Sequence, residues 1–307
     1  MKIIESVPNF SEGRRQEVVE RIVDQAKHTK GVWVLDWSMD ASHNRSVVTL
    51  VGEPKGVFEA LFKMTKTASE LIDLRNHKGE HPRMGATDVV PLVPVLNTDM
   101  QECIDLSKQL GKRIADELKI PVYLYEKSAT SPERESLSNI RKGEFEGFFE
   151  KIKDPRWAPD FGPAKVHPTA GVMAVGAREF LIAYNVNLNT TNLSIAKKIA
   201  KAVRHSSGGF RYVKAIGVEL SDKGMVQVSM NMTNYNKSPL FRVFEVVKRE
   251  AARYGVSVVS SEIVGMVPMQ ALLNVARYYL QLDDFTVERI VEKGVLEILA
   301  KEVAKHE

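Results

Sequence analysis

Apolar positions recur along the chain at two periods, and the order in which those periods alternate occurs twice. Residues 2–7 read as a short strand closed by Pro8. Residues 14–29 read as a helix, because Val18, Val19, Ile22, Val23 and Ala26 share one face at a spacing of three to four. Gly31 ends that helix. A buried strand follows at 32–35 with Asp36 behind it, then a polar loop at 38–45 and an alternating strand at 46–51. The stripe Val57, Ala60, Leu61, Met64, Ala68, Leu71 and Ile72 predicts a helix over 55–74, and a charged loop leads to an apolar strand at 89–95. The order is β-α-β-β-α-β.

Thr98 and Gln101 predict a capping box at the start of a further helix, whose side chains would satisfy free backbone N–H groups. Its apolar face is Cys103, Leu106, Leu110, Ile114 and Leu118, and a strand at 122–125 follows. Cys103 on that face reads as a structural thiol, not a nucleophile. Periodicity then weakens over 126–176, which offers one helix at 135–152 and a stretch punctuated by proline and glycine, DPRWAPDFGPAKVHPTAG. From residue 179 the first order returns. Strands are expected at 180–186, 212–219, 225–232 and 256–263, with helices at 194–203 and 239–254; two more helices, 268–282 and 286–303, end the chain.

The pattern predicts an α/β (α+β) protein of two ferredoxin-like split β-α-β subdomains, 1–178 and 179–307, with mixed sheets and helices on the outer faces. Each open sheet then has a second face to be covered by the other sheet or by a partner subunit.

Composition narrows the function classes. Among 307 residues, 43 Lys and Arg balance 39 Asp and Glu, and the charges are interspersed, so no nucleic-acid footprint is expected. No apolar run nears the roughly 18 residues of a membrane span, and Glu5 interrupts the N-terminus too early for a signal-peptide core. A lone cysteine excludes an internal disulfide and a cysteine-based zinc site. A cytoplasmic location is expected. No phosphate-cradling glycine loop and no G-x-S-x-G elbow occurs.

The candidate chemistry lies in three loops. RNHKGEHPRMGATD holds His77 and His81 among Arg75, Lys78, Glu80, Arg83 and Asp88, and an imidazole so flanked can be tuned as acid or base. The same segment spells H-x-x-E-H, but zinc ligation requires a helix, which Gly79 and Pro82 oppose, so no metal is expected. Asp36, Asp40, His43, Asn44 and Arg45 form a second group, read either as an unusually long hairpin connection or as a site for an amidine and a carboxylate. WAPDFGPAKVHPTAG reads as a rigid interdomain connector or as a ligand loop with flat aromatic surface. His28, His205 and His306 read as solvated.

Taken together, these segments resemble the glutamate formimidoyltransferase (formiminotransferase) family. The blocks that carry the resemblance are ESVPNFSEG, the Asn44–Arg45 pair, HKGEHPRMGATDVVPLVPV, PVYLY, WAPDFGP, GAREFLIAYNVNL and VGMVP. The resemblance implies transfer of a formimino group from N-formimino-L-glutamate to N5 of tetrahydrofolate, in histidine degradation, by a homodimer with a folate tunnel between subdomains. The family's catalytic histidine falls on His81. Its folate-binding segment falls on Gly162, Pro163, Ala164, Lys165, Val166, His167, Pro168, Thr169, Ala170 and Gly171, where the stretch after DFGP departs from the animal enzymes. Animal relatives carry a cyclodeaminase domain, which a chain ending at residue 307 is expected to lack. In this picture Asp36, Asp40 or Glu80 holds the amidinium or orients the imidazole, Asn44 joins them, and Arg45, Arg83 or Lys165 binds carboxylates. A folate enzyme acting on 5-formyltetrahydrofolate and a folate-binding protein without turnover are the other readings.

Overall fold

Pro8 lacks an amide hydrogen, and it breaks the first strand into β1 (Ile3–Ser6) and β2 (Asn9–Phe10) while its carbonyl accepts from Val48. The structure is a computed structural model, and it describes residues 1–220 and 223–303, excluding the side chains of 299–303. The chain divides into two units, Met1–Glu179 and Phe180–Glu307.

In the first unit, β4 (Arg45–Gly52) pairs antiparallel with β3 (Val32–Asp40) on one side and with β1 and β2 on the other. The next strand, β5 (Thr87–Leu96), is antiparallel to β1 and β2 and parallel to β7 (Met173–Ala177), which is parallel to β6 (Val122–Leu124). Counting β1 and β2 as one strand, the first four strands stand in the order four, one, three, two, and β7 and β6 extend the sheet. The helices α1 (Gln16–Lys27), α2 (Pro54–Leu71) and α3 (Met100–Leu118) join one core with the strands, formed around Ile22, Leu61, Met64 and Ile114 against Ile4, Leu50, Val90 and Leu92. Alternation then sends Glu5, Asn9 and Arg45 to the opposite face of the sheet.

The second unit runs β8 (Ile182–Leu188), α7 (Leu193–Val203), β9 (Val213–Leu220), β10 (Met225–Met232), α8 (Leu240–Arg253), β11 (Val258–Val264), α9 (Met269–Leu280) and α10 (Val291–Val303). Its strand order is β11-β8-β10-β9, again four, one, three, two. Every pairing in it is antiparallel. The first sheet is therefore mixed and the second is not. Val186, Val226 and Val228 meet Ile199, Val243 and Val247 in its core.

Four local expectations are corrected. The polar stretch after Leu35 is no long loop: β3 continues to Asp40 and only residues 41–44 turn, so Asp36 pairs with Thr49 and Asp40 with Arg45. Polar residues there are simply the outward positions of an edge strand. The capping box is made by Asp99 and Glu102, one residue later than Thr98 and Gln101; the Thr98 hydroxyl donates to the Ile3 carbonyl instead. The helix expected at 135–152 is three short turns, α4 (Pro132–Glu135), α5 (Leu137–Arg141) and α6 (Glu144–Lys151). The break after α5 is held because the Lys151 ammonium donates to the carbonyls of Asn139, Ile140 and Lys142 at the end of the helix. Finally, the weakly periodic stretch 126–176 leads into a strand that no period predicted, β7, which inserts between β5 and β6.

Cys103 is buried on α3, and burial pushes its thiol up to about 12, which leaves it an inert packing group. His28 and His205 are exposed, while His306 lies outside the described residues. Among the described residues no helix is long and apolar enough to cross a membrane.

Candidate functional site

The site is assembled from the loop after α2 and the turn between β3 and β4. Asp73 caps a short 3-10 turn, Leu74–Asn76, after which the backbone is extended through His77 and carries no helix to residue 82. His77 is buried; its Nε2 donates to the Asn44 carbonyl at 2.8 Å and its Nδ1 accepts from Arg83 Nε at 3.2 Å. Both ring nitrogens are thus occupied, and burial holds the ring below the ordinary histidine range. This arrangement fits a structural pin and not the first ligand of an H-x-x-E-H zinc site.

Asn44 takes a left-handed backbone, φ 47°, and its side chain accepts from the Gly13 N–H and donates to the Lys78 carbonyl. The Glu80 N–H donates to the Ser42 carbonyl. Gly79 lies so close to the turn that a Cβ there would stand 2.2 Å from the His43 carbonyl oxygen. Gly79→Ala must push the two segments more than an ångström apart. We expect turnover that depends on this loop to fall by about 10²-fold, as misplacement of that size does, and the melting temperature to drop by about 2–5 °C as the Asn44–Lys78 and Glu80–Ser42 hydrogen bonds are lost. Steady-state rates and thermal unfolding of that variant check it.

His81 sits at the tip of this loop, its ring edge-on to His43 with centroids 6.1 Å apart. His43 in turn contacts Asp40, Nδ1 to Oδ2 at 3.0 Å, and Asp40 accepts the His43 N–H. His81 Nδ1 lies 2.7 Å from the carbonyl of Pro82. A carbonyl only accepts, so Nδ1 carries the hydrogen and the lone pair of the neutral ring is on Nε2. Burial, followed by the charges of Arg45 and Arg141, pushes His81 down to about 3, so the ring is neutral at physiological pH.

Those two arginines belong to a buried ionic cluster. The register of β2 against β5 shifts between Asn9 and Phe10, leaving Asp88 as an extra residue between Thr87 and Val89. Such bulges re-aim a side chain. Asp88 is fully buried; its Oδ2 accepts from Arg45 Nη1 at 2.9 Å and Arg141 Nη2 at 2.6 Å, and its Oδ1 from the Met84 N–H at 2.9 Å. Burial would raise its carboxyl, but Arg141 and then Arg45 hold it at about 2. Arg45 also donates to Asn9 Oδ1 from Nε and Nη2.

The remaining residues singled out in the sequence are more scattered. Arg83 is committed to Glu144 and Glu146 and to the His77 ring. Glu80 is exposed at the loop tip. Asp36 lies four residues before Asp40 on β3, roughly 13 Å away along the strand, where it lines a separate groove with Trp33 and Trp37. The segment 162–171 divides in two. Gly162, Pro163, Ala164 and Lys165 are exposed, with Gly162 packed against Ala115 and Ile120 of the α3 end. Val166, His167, Pro168, Thr169, Ala170 and Gly171 form a tight turn in which His167 and Gly171 exchange backbone hydrogen bonds and His167 Nδ1 accepts from the Ala170 N–H. The Thr169 and Ala170 carbonyls accept from Leu74 and Ala86, at the two ends of the His81 loop. Gly171 has φ 71° and its Cβ position is 2.2 Å from the Met84 carbonyl, so only glycine fits. The turn therefore props the loop that carries His81.

Sequence reasoning missed Arg141 and Asn9. The signal for a partner was present: an aspartate leading into the apolar run VVPLV must be paired if it is buried.

The family model for the formiminotransferase domain, N-terminal subdomain, matches residues 3–178, and that for the formiminotransferase domain matches residues 183–304. The chain is 56% identical to glutamate formimidoyltransferase of Streptococcus pyogenes serotype M1 over 296 residues, covering 96% of this chain and 99% of that protein. It is 52% identical to glutamate formimidoyltransferase of Thermoplasma acidophilum, covering 95% and 97%. It is 44% identical to formimidoyltransferase-cyclodeaminase of Rattus norvegicus, covering 91% of this chain and 52% of that longer protein. With its two family segments spanning both units and the His81 loop inside the first, this chain belongs to the formiminotransferase family.

Proposed function

We propose that the protein transfers the formimino group of N-formimino-L-glutamate to N5 of tetrahydrofolate, giving 5-formiminotetrahydrofolate and L-glutamate. The observation that carries this reading is the neutral His81, with Nδ1 tied to the Pro82 carbonyl and Nε2 left as a base. The names of the similar Streptococcus and Thermoplasma proteins support the choice of reaction.

Tetrahydrofolate N5 attacks the amidine carbon, a C–N5 bond forms, and the N5 proton passes to His81 Nε2. The imidazolium, facing Arg45 and Arg141, is then a strong acid and returns the proton to the glutamate nitrogen as its bond to carbon breaks. L-Glutamate leaves and the formimino group stays on N5. Holding both substrates beside His81 supplies further rate by replacing a bimolecular encounter with fixed geometry. The segment 162–171, which buttresses the His81 loop, is suited to seat the folate, and its exposed Lys165 offers a cation for the acidic tail. A cytoplasmic homodimer working on small molecules completes the reading, and exposed Leu272, Tyr278 and Leu280 on α9 are apolar surface that a second copy can cover.

The test is a turnover assay that follows glutamate release. Release that needs both N-formimino-L-glutamate and tetrahydrofolate supports the reading. Absence of release with tetrahydrofolate bound overturns it and redirects the search to other folate substrates.

A further inference from the structure

The donor in the proposed reaction carries two carboxylates, and the arginines expected to bind them are occupied. Arg83 is held by Glu144 and Glu146, and Arg45 spends its N–H groups on Asp88 and Asn9. Arg141 differs. Its side chain, at the end of α5, is only 12% exposed; Nη2 makes one bond, to Asp88, and its buried Nε has no partner among the described residues. A buried N–H left unpaired costs free energy until something accepts from it.

The charges point the same way. Arg45 and Arg141 face a single carboxylate, Asp88, so the cluster keeps one positive charge in excess. Arg141 and His81 are near enough that the guanidinium lowers the basicity of the imidazole. An anion on Arg141 would stand in the same electrostatic neighbourhood as His81; of the donor's two carboxylates, the α-carboxylate is the one whose carbon also bears the amidine nitrogen.

Resting on the transferase reading above, we infer that Arg141 is the donor-binding residue that pairs the α-carboxylate of N-formimino-L-glutamate. Its planar fork serves Asp88 with one edge and the substrate with another. The arrival of the carboxylate cancels the excess charge facing His81, so donor binding restores basicity to the residue that takes the proton. The Lys151 ammonium, which fixes the carbonyls around α5, sets the position of this arginine.

The test is equilibrium binding of L-glutamate, and of 4-aminobutyrate, which lacks the α-carboxylate, to the wild-type chain, R141Q and R141K. Tetrahydrofolate binding and the KM for N-formimino-L-glutamate are measured in parallel. R141Q is expected to weaken L-glutamate by about 30-fold, the worth of a charge-assisted pair. It should leave 4-aminobutyrate and tetrahydrofolate unchanged within about twofold and raise KM by more than kcat falls. R141K, a point charge without the fork, should fall between. Glutamate binding that survives R141Q, or a loss shared equally by 4-aminobutyrate or tetrahydrofolate, overturns the inference and leaves Arg141 a support for Asp88. If R141Q does not fold, R141K retains a cation for Asp88 and carries the comparison. Wild-type protein that binds glutamate through Arg141 without turnover removes the transferase reading alone; turnover with intact glutamate binding in R141Q removes this one alone.

Discussion

Replacing His81 by alanine is expected to lower kcat for glutamate release by about 10²- to 10⁴-fold, the usual worth of a positioned acid and base. Tetrahydrofolate binding should change by no more than about twofold, because the ring is half exposed and its hydrogen bond is to its neighbour Pro82. The pH profile gives a second readout. A base works when deprotonated, and burial with Arg45 and Arg141 holds His81 at about 3 in the free protein. kcat/KM should therefore show no limb from this residue as pH falls through 6.5, where an ordinary histidine titrates. Nitrogen-15 NMR of the imidazole in the free protein should find it neutral down to about pH 4.5, and R141Q should raise its midpoint. Near-normal kcat in a folded His81→Ala protein would end the shuttle proposal and move attention to His43 and Asp40.

The second large effect falls on stability. Asp88→Asn keeps the shape of the side chain but leaves two guanidinium groups facing each other without a counter-charge. Breaking a buried pair in this way costs about 3–5 kcal/mol. For a unit of this size that corresponds to a fall in Tm of roughly 10 °C. The sign with pH comes from the depressed carboxyl. Asp88 titrates at about 2 in the folded chain, below its unfolded value near 3.9, so its stabilisation is full at pH 7 and is lost as pH falls toward 2. The gap in Tm between wild type and variant should therefore narrow in acid. A variant that melts within about 2 °C of wild type at pH 7 would show that the cluster contributes little.

The architecture was legible where period and burial agree. The buried face of α1, Val18 through Ala26, lies where its spacing placed it, and so do both β-α-β-β-α-β series. Legibility failed where long-range pairing decides the outcome. Met173–Ala177 looks like the tail of a glycine-rich loop because MAVGA is short and small, and only its parallel partners make it a strand. Asp36 to Asp40 look like a loop because an edge strand tolerates polar residues on its outward side. The His81 loop stood out by composition, yet its division of labour did not. That His77 is pinned by Asn44 and Arg83 while His81 keeps a bare Nε2 depends on a left-handed residue at 44 and on Gly79 fitting against His43, neither of which has a period. Arg141 was invisible for the same reason, its position being set by a helix break and a lysine ten residues on.

The insertion of β7 between β5 and β6 also orders events during synthesis. A nascent chain released only as far as residue 170 holds the β6 residues, which can bridge Phe161, but their parallel ladder partner is still inside the ribosome. The turn at 166–171, which props the His81 loop, leads directly into that late strand. Closing a parallel pair across some eighty residues, from Val89 to Ala174, is slow compared with local hairpins. A chain that ends before β7 therefore lacks the strand that joins β6 to β5, while β1 to β5 already have their antiparallel partners.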